Sequence, residues 1–116
     1  MNRKIQQENI IRRRKMIKKL VRDNIPEIIK SSGRTPICET VKNDDAYLQL
    51  LKDKLQEEVK EYIESGQIIE LCDVVEVVYA LLKAQGMSQS EFEVMRNKKA
   101  IANGTFEKRI FLEKIR

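Results

Sequence analysis

Residues 67–85 contain no glycine or proline, and their apolar side chains (Ile68, Ile69, Leu71, Cys72, Val74, Val75, Val77 to Leu82) would point in nearly every direction around a helix. A helix apolar on all sides belongs inside a bundle. Glu70, Asp73 and Glu76 interrupt it at i, i+3 and i+6, and since each such step turns only about 60° the three acids form a slanted ridge with Ile69, Val77 and Ala80 among them. No hydrophilic face exists to carry that ridge into water. Burying a carboxylate without a partner is costly, so a cation must face it.

The rest of the chain supplies more helix. Four glycines and two prolines in 116 residues leave few turns for a multi-stranded sheet, and an all-α fold is predicted. Asp23 or Asn24, followed by Pro26, opens a short helix that SSG ends at residues 31–33, and residues 33–43 read as an extended connection. Asn43 or Asp44 caps a helix over 45–64 with Leu48, Leu51, Leu55, Val59 and Tyr62 on one stripe. Ser65 and Gly66 break it, so the 45–64 and 67–85 helices form an antiparallel hairpin. Ser88 and Glu91 have capping-box spacing and open a helix that runs to about Ala102, before Asn103 and Gly104. The aromatic residues, Met87, Met95, Cys38 and Cys72 are expected to pack the core, with stacking of one aromatic on a base as the alternative.

Charge is segregated along the chain. Residues 1–19 hold eight bases against one acid, residues 39–76 eleven acids against four bases, and residues 83–116 eight bases against four acids. A basic N-terminus is a feature of nucleic-acid binders. The aromatic motifs and zinc spacings of such modules are missing, however, and no nucleic-acid partner is expected for the domain. Residues 1–15 read as a basic extension, with Met16 the expected start of a single domain over 16–116. There is no histidine and only two cysteines, so any metal must be held by carboxylate oxygens, which favours a hard ion such as Mg²⁺ or Mn²⁺. No apolar run approaches membrane-spanning length, and a reducing cytoplasm is the expected location.

The 45–64 helix carries Glu57, Glu58 and Glu61 near the end that meets the second helix. Taken alone, this EExxE is an ordinary solvated face, with Lys54–Glu58 and Lys60–Glu64 spaced for ion pairs. In an antiparallel hairpin, however, Glu58 and Glu61 approach Glu70 and Asp73. Four carboxylates on one volume repel one another unless one or two divalent ions are held between them. Lys98, Lys99 and Arg109, from the basic end, are the candidates for neutralising the phosphates of a metal-chelating substrate. Each of these lysines taken alone also fits a solvated last helical turn.

The ordered set EExxE then ExxD, with KLVRDNIPEII at 19–29, KLQEEVKEYIESG at 54–66, ELCDVVEVVYAL at 70–81 and NGTFEKRIFLE at 103–113, resembles the MazG-type all-α nucleoside triphosphate pyrophosphohydrolases. Within that superfamily it is similar to the small house-cleaning branch and to phosphoribosyl-ATP pyrophosphohydrolase. The resemblance implies Glu58, Glu61, Glu70 and Asp73 as magnesium ligands and catalytic residues, with Glu57 supporting them; Glu76, from the ridge, and Lys54, spaced to pair with Glu58, are further supporting candidates. It also implies a nucleotide substrate cleaved to the monophosphate and pyrophosphate. A hairpin and two short helices leave much of the 67–85 helix uncovered, so a homodimer or homotetramer is expected. The competing expectation is a non-catalytic helical module that binds nucleic acid or an acidic partner through the basic N-terminus.

Overall fold

Local signals place the helix ends. In a computed structural model, which describes residues 17–116, Asn24 precedes α1 (Ile25–Ser31), with Pro26 in its first turn. An extended connection then leads to Asn43, whose side chain accepts a hydrogen bond from the Ala46 N–H at 2.9 Å and so caps α2 (Asp44–Ser65). Asp44 and Asp45 in the first turn favour the positive end of the helix dipole. Gly66 ends α2 at φ 67°, a left-handed conformation suited to glycine, and donates its N–H to the Tyr62 carbonyl at 2.7 Å. The chain reverses there into α3 (Ile69–Ala84), and a complete Ser88/Glu91 capping box opens α4 (Gln89–Asn103). Residues 104–116 follow without a helix, and the described residues contain no strand. The fold is all-α and built on the α2–α3 hairpin, with α4 leaning lightly on α3. Among the described residues, no helix is long and apolar enough to cross a membrane. The basic extension 1–15 and Met16 lie outside the described residues.

Packing within the hairpin differs from the expected stripe at one residue. Leu48, Leu55 and Tyr62 are half-buried and Leu51 is buried, but Val59 is exposed and Glu58 is buried in its place. The spacing 51, 55, 58, 62 explains this, because steps of four, three and four keep to one face over three turns. A carboxylate therefore occupies a core position of α2.

The single chain does not enclose α3. Val77 is its one fully buried residue, and Ile69, Leu71, Val75 and Tyr79 are exposed. The hairpin covers one side of α3 only, so burial on all sides is not realised within one chain. Several other expected core residues also face outward: Cys38, Cys72, Met95, Phe106 and Phe111 are exposed, while Tyr47, Tyr62, Met87 and Phe92 are half-buried.

Candidate metal centre

The last turns of α2 and the first turns of α3 meet because Gly66 reverses the chain directly between them. Carboxylate oxygens of Glu57, Glu58 and Glu61 lie within 4.8 Å of one another, and so do oxygens of Glu58, Glu70 and Asp73. The four sequence-predicted ligands thus come together as two overlapping triads that share Glu58. Glu76, the third member of the ridge, stands outside both triads and lines the neighbouring cleft.

Glu58 is 6% exposed. Its Oε1 lies 3.2 Å from the Lys54 ammonium, while its Oε2 is sealed from solvent with no hydrogen-bond partner. An unsatisfied buried carboxylate oxygen is strongly unfavourable. Three more carboxylates around it make an oxygen-only donor set, which fits a hard divalent cation.

Cations do meet the acid cluster, and two come from an unexpected place. The ridge itself receives Arg22, while Lys19 and Lys54 meet the acids of α2. Lys19 donates to Glu57 at 2.7 Å, Lys54 lies 3.2 Å from the same carboxylate, and Arg22 reaches Asp73 at 3.0 Å. Arg22 therefore pairs across the fold rather than with its neighbour Asp23. The hydrogen bond from Lys19 holds the Glu57 carboxyl below its ordinary range, and the same bond raises Lys19. Glu61 moves the other way, because the adjoining Glu58 carboxylate favours its protonated form, with smaller contributions from Glu57 and Glu70.

Beside the acids lies a cleft of about 1130 Å³ between the segment leading into α1 and the hairpin. Glu58, Asp73 and Glu76 reach its wall, together with Arg22, Lys54 and Lys83, and Tyr47 and Tyr79 add aromatic surface. Lys98, Lys99 and Arg109 do not line it, and none of them forms an ion pair with the acids among the described residues. All three are exposed, on α4 and in the segment after it. The reason is packing: α4 buries no residue and touches α3 only lightly, so nothing holds its basic end against the hairpin.

One comparison with known proteins bears on this chain. It is similar to part of a mycobacterial protein. That relative, an uncharacterized protein of Mycolicibacterium smegmatis, is 57% identical over 42 residues. The match spans 36% of this chain and 42% of the relative, so the chain covers less than half of its length. No protein-family model and no solved structure matches.

Lys19 and Arg22 are the site residues that sequence reasoning missed. Their signal was the KLVR spacing itself: two bases three residues apart in an otherwise apolar segment, in a chain whose acid ridge required cations.

Proposed function

We propose that the chain is a Mg²⁺- or Mn²⁺-dependent nucleoside triphosphate pyrophosphohydrolase of the MazG-like kind. The observation that carries this reading is Glu58, buried in the hairpin core with one oxygen unpartnered, where two carboxylate triads meet. Stability alone would favour an apolar residue there. Glu58, Glu61, Glu70 and Asp73 would hold the ion, and Glu57, fixed by Lys19 and Lys54, would keep α2 in register. A divalent cation at this position supplies Lewis acidity and a more acidic water.

The chain's own groups then have distinct tasks. Glu61, on the exposed side of its triad with Glu57 and Glu58, is the carboxylate that would orient the attacking water and accept its proton. Water adds to the α-phosphorus, the bond from that phosphorus to the bridging oxygen breaks, and the bond electrons leave on pyrophosphate. Lys54 and Arg22 are the cations placed at the cleft wall to balance phosphate charge. Tyr47 and Tyr79 offer the cleft's aromatic surface to a base. The sequence carries no Walker loop to present a γ-phosphate, which favours cleavage between α and β.

Products settle the question. Canonical and modified nucleoside triphosphates are incubated with the protein and Mg²⁺, and products are separated by ion-exchange chromatography. Monophosphate with equimolar pyrophosphate, lost in Glu61→Gln, is the expected result. Diphosphate with orthophosphate, or hydrolysis indifferent to Glu61→Gln, overturns it and favours a non-catalytic binding module.

A further inference from the structure

Lys19 and Arg22 leave one short segment and reach different helices. The segment lies before α1, where no helix holds its backbone, and its turn is closed by the Ile25 N–H donating to the Arg22 carbonyl at 3.0 Å. Lys19 crosses to Glu57 on α2 at 2.7 Å, and Arg22 crosses to Asp73 on α3 at 3.0 Å. The two bonds end on carboxylates in different surroundings. Glu57 also holds Lys54, whereas Asp73 stands with Glu58 and Glu70 in the triad where the Glu58 Oε2 is sealed from solvent without a partner.

Charge within that triad is poorly balanced. Among the described residues Glu70 forms no ion pair and Glu58 shares Lys54 with Glu57, so Arg22 is the one cation that the triad does not share. An ion bound to Asp73 beside Arg22 would place two positive charges on one carboxylate, and like charges a few ångströms apart repel strongly outside bulk water. Arg22 can give way. Its side chain is 59% exposed, and the contact with Asp73 uses one of the five donors of its guanidinium. The same side chain lines the cleft, so the space it turns into is the one where a phosphate chain would lie.

We propose that Arg22 is an exchange residue: it neutralises Asp73 until a divalent ion takes that carboxylate, and its guanidinium then pairs with the phosphates of the substrate in the cleft. The inference rests on the metal-dependent reading above and adds a coupling to it. Lys19 keeps the segment anchored throughout, because its partner Glu57 is outside the proposed ligand set. With Arg22 exchanging, each ligand favours the other, since the ion frees Arg22 for phosphate and phosphate draws Arg22 away from the ion's ligand. Loss of Arg22 therefore has opposite effects on the two ligands. Loss of a base that merely held the segment in place would weaken both.

Calorimetric titration of the full chain with Mn²⁺ alone, and then with inorganic tripolyphosphate in saturating Mn²⁺, reads the two effects separately and needs no turnover. Arg22→Gln should bind Mn²⁺ about three- to tenfold more tightly, since a competing cation is gone, and tripolyphosphate at least about tenfold more weakly, since a charge-assisted bond is lost. Lys19→Gln controls for long-range charge. It removes the same charge from the neighbouring triad and should leave Mn²⁺ affinity within about twofold in ~0.15 M salt. Both side chains are exposed and non-helical, so helical circular dichroism should not change in either variant. Unchanged or weaker Mn²⁺ binding in Arg22→Gln overturns the exchange, as does equal tightening in Lys19→Gln or undiminished tripolyphosphate binding in Arg22→Gln, and each of these leaves the metal site itself standing. Failure of the intact chain to bind Mn²⁺ is a different result, which overturns the metal-dependent reading and the exchange together.

Discussion

Glu58 sits between Leu55 and Tyr62 on the buried stripe of α2, with Oε2 facing no donor. A leucine there would remove the unsatisfied oxygen, and Lys54 would keep Glu57 as its partner at 3.2 Å. Glu58→Leu should therefore raise metal-free stability by about 1–3 kcal/mol while abolishing any stabilisation by Mg²⁺. Thermal melts in EDTA and in Mg²⁺ check both halves, and a destabilised, still metal-responsive variant would contradict the shared-ligand role. Glu61 adds a pH signature. Its pKa is raised by Glu58, so the folded state binds that proton more tightly than the unfolded chain does. The resulting stability is present at low pH and lost as pH rises through the raised value. Glu57 has the opposite sign, because its lowered pKa gives stability above the ordinary glutamate range that disappears on acidification below it. Above the ordinary glutamate range, where Glu57 is ionised in both states, the Glu61 effect governs, so the metal-free melting temperature should fall as pH rises there, a slope that Glu61→Gln removes.

At the scale of elements, the register of the two acid motifs depends on the turn between α2 and α3. A Cβ on Gly66 meets no neighbouring atom, yet φ 67° disfavours any side chain there. Gly66→Ala should cost about 1–2 kcal/mol and also weaken the Mg²⁺-induced shift, since relaxation of the turn moves α3 relative to Glu58. Ser88→Ala is the contrasting case. Loss of its capping box should cost about 1 kcal/mol and leave the metal response intact, because α4 carries none of the acids. Those caps and turns were legible in the sequence, as was the approach of EExxE to ExxD, because each depends on neighbours a few residues apart. The burial of Glu58 in place of Val59 was half-legible: the 51, 55, 58, 62 spacing is visible, but its preference over 51, 55, 59, 62 is decided by packing against α3. Lys19–Glu57 and Arg22–Asp73 join residues 38 and 51 positions apart, and no local pattern specifies which base meets which acid. The distance of Lys98, Lys99 and Arg109 from the cleft was hidden for the same reason, since charge along the chain does not say how α4 leans.

At the largest scale, Leu51 and Val77 are the only fully buried apolar residues among the described ones, a small core, while Ile69, Leu71, Val75 and Tyr79 of α3 stay exposed and open to cover by a second copy. Association should therefore add to the stability of the folded chain, and linkage makes the melting temperature depend on protein concentration. Each tenfold increase adds about 1.4 kcal/mol to dimer stability, and the unfolding entropy of two such chains near the midpoint is about 0.4 kcal/mol/K, so the midpoint should rise by about 3 °C per tenfold. Mg²⁺ binding at the hairpin adds a separate increment, so the concentration series belongs in EDTA. Melts over a hundredfold range of concentration should thus shift by about 6 °C for the intact chain. For Val75→Glu, at an exposed apolar position of α3, the midpoint should be lower at concentrations where the intact chain associates and, where dimer no longer forms, independent of concentration. A midpoint independent of concentration in the intact chain would mean that the two-residue core suffices, and would leave the bare α3 stripe without an energetic role.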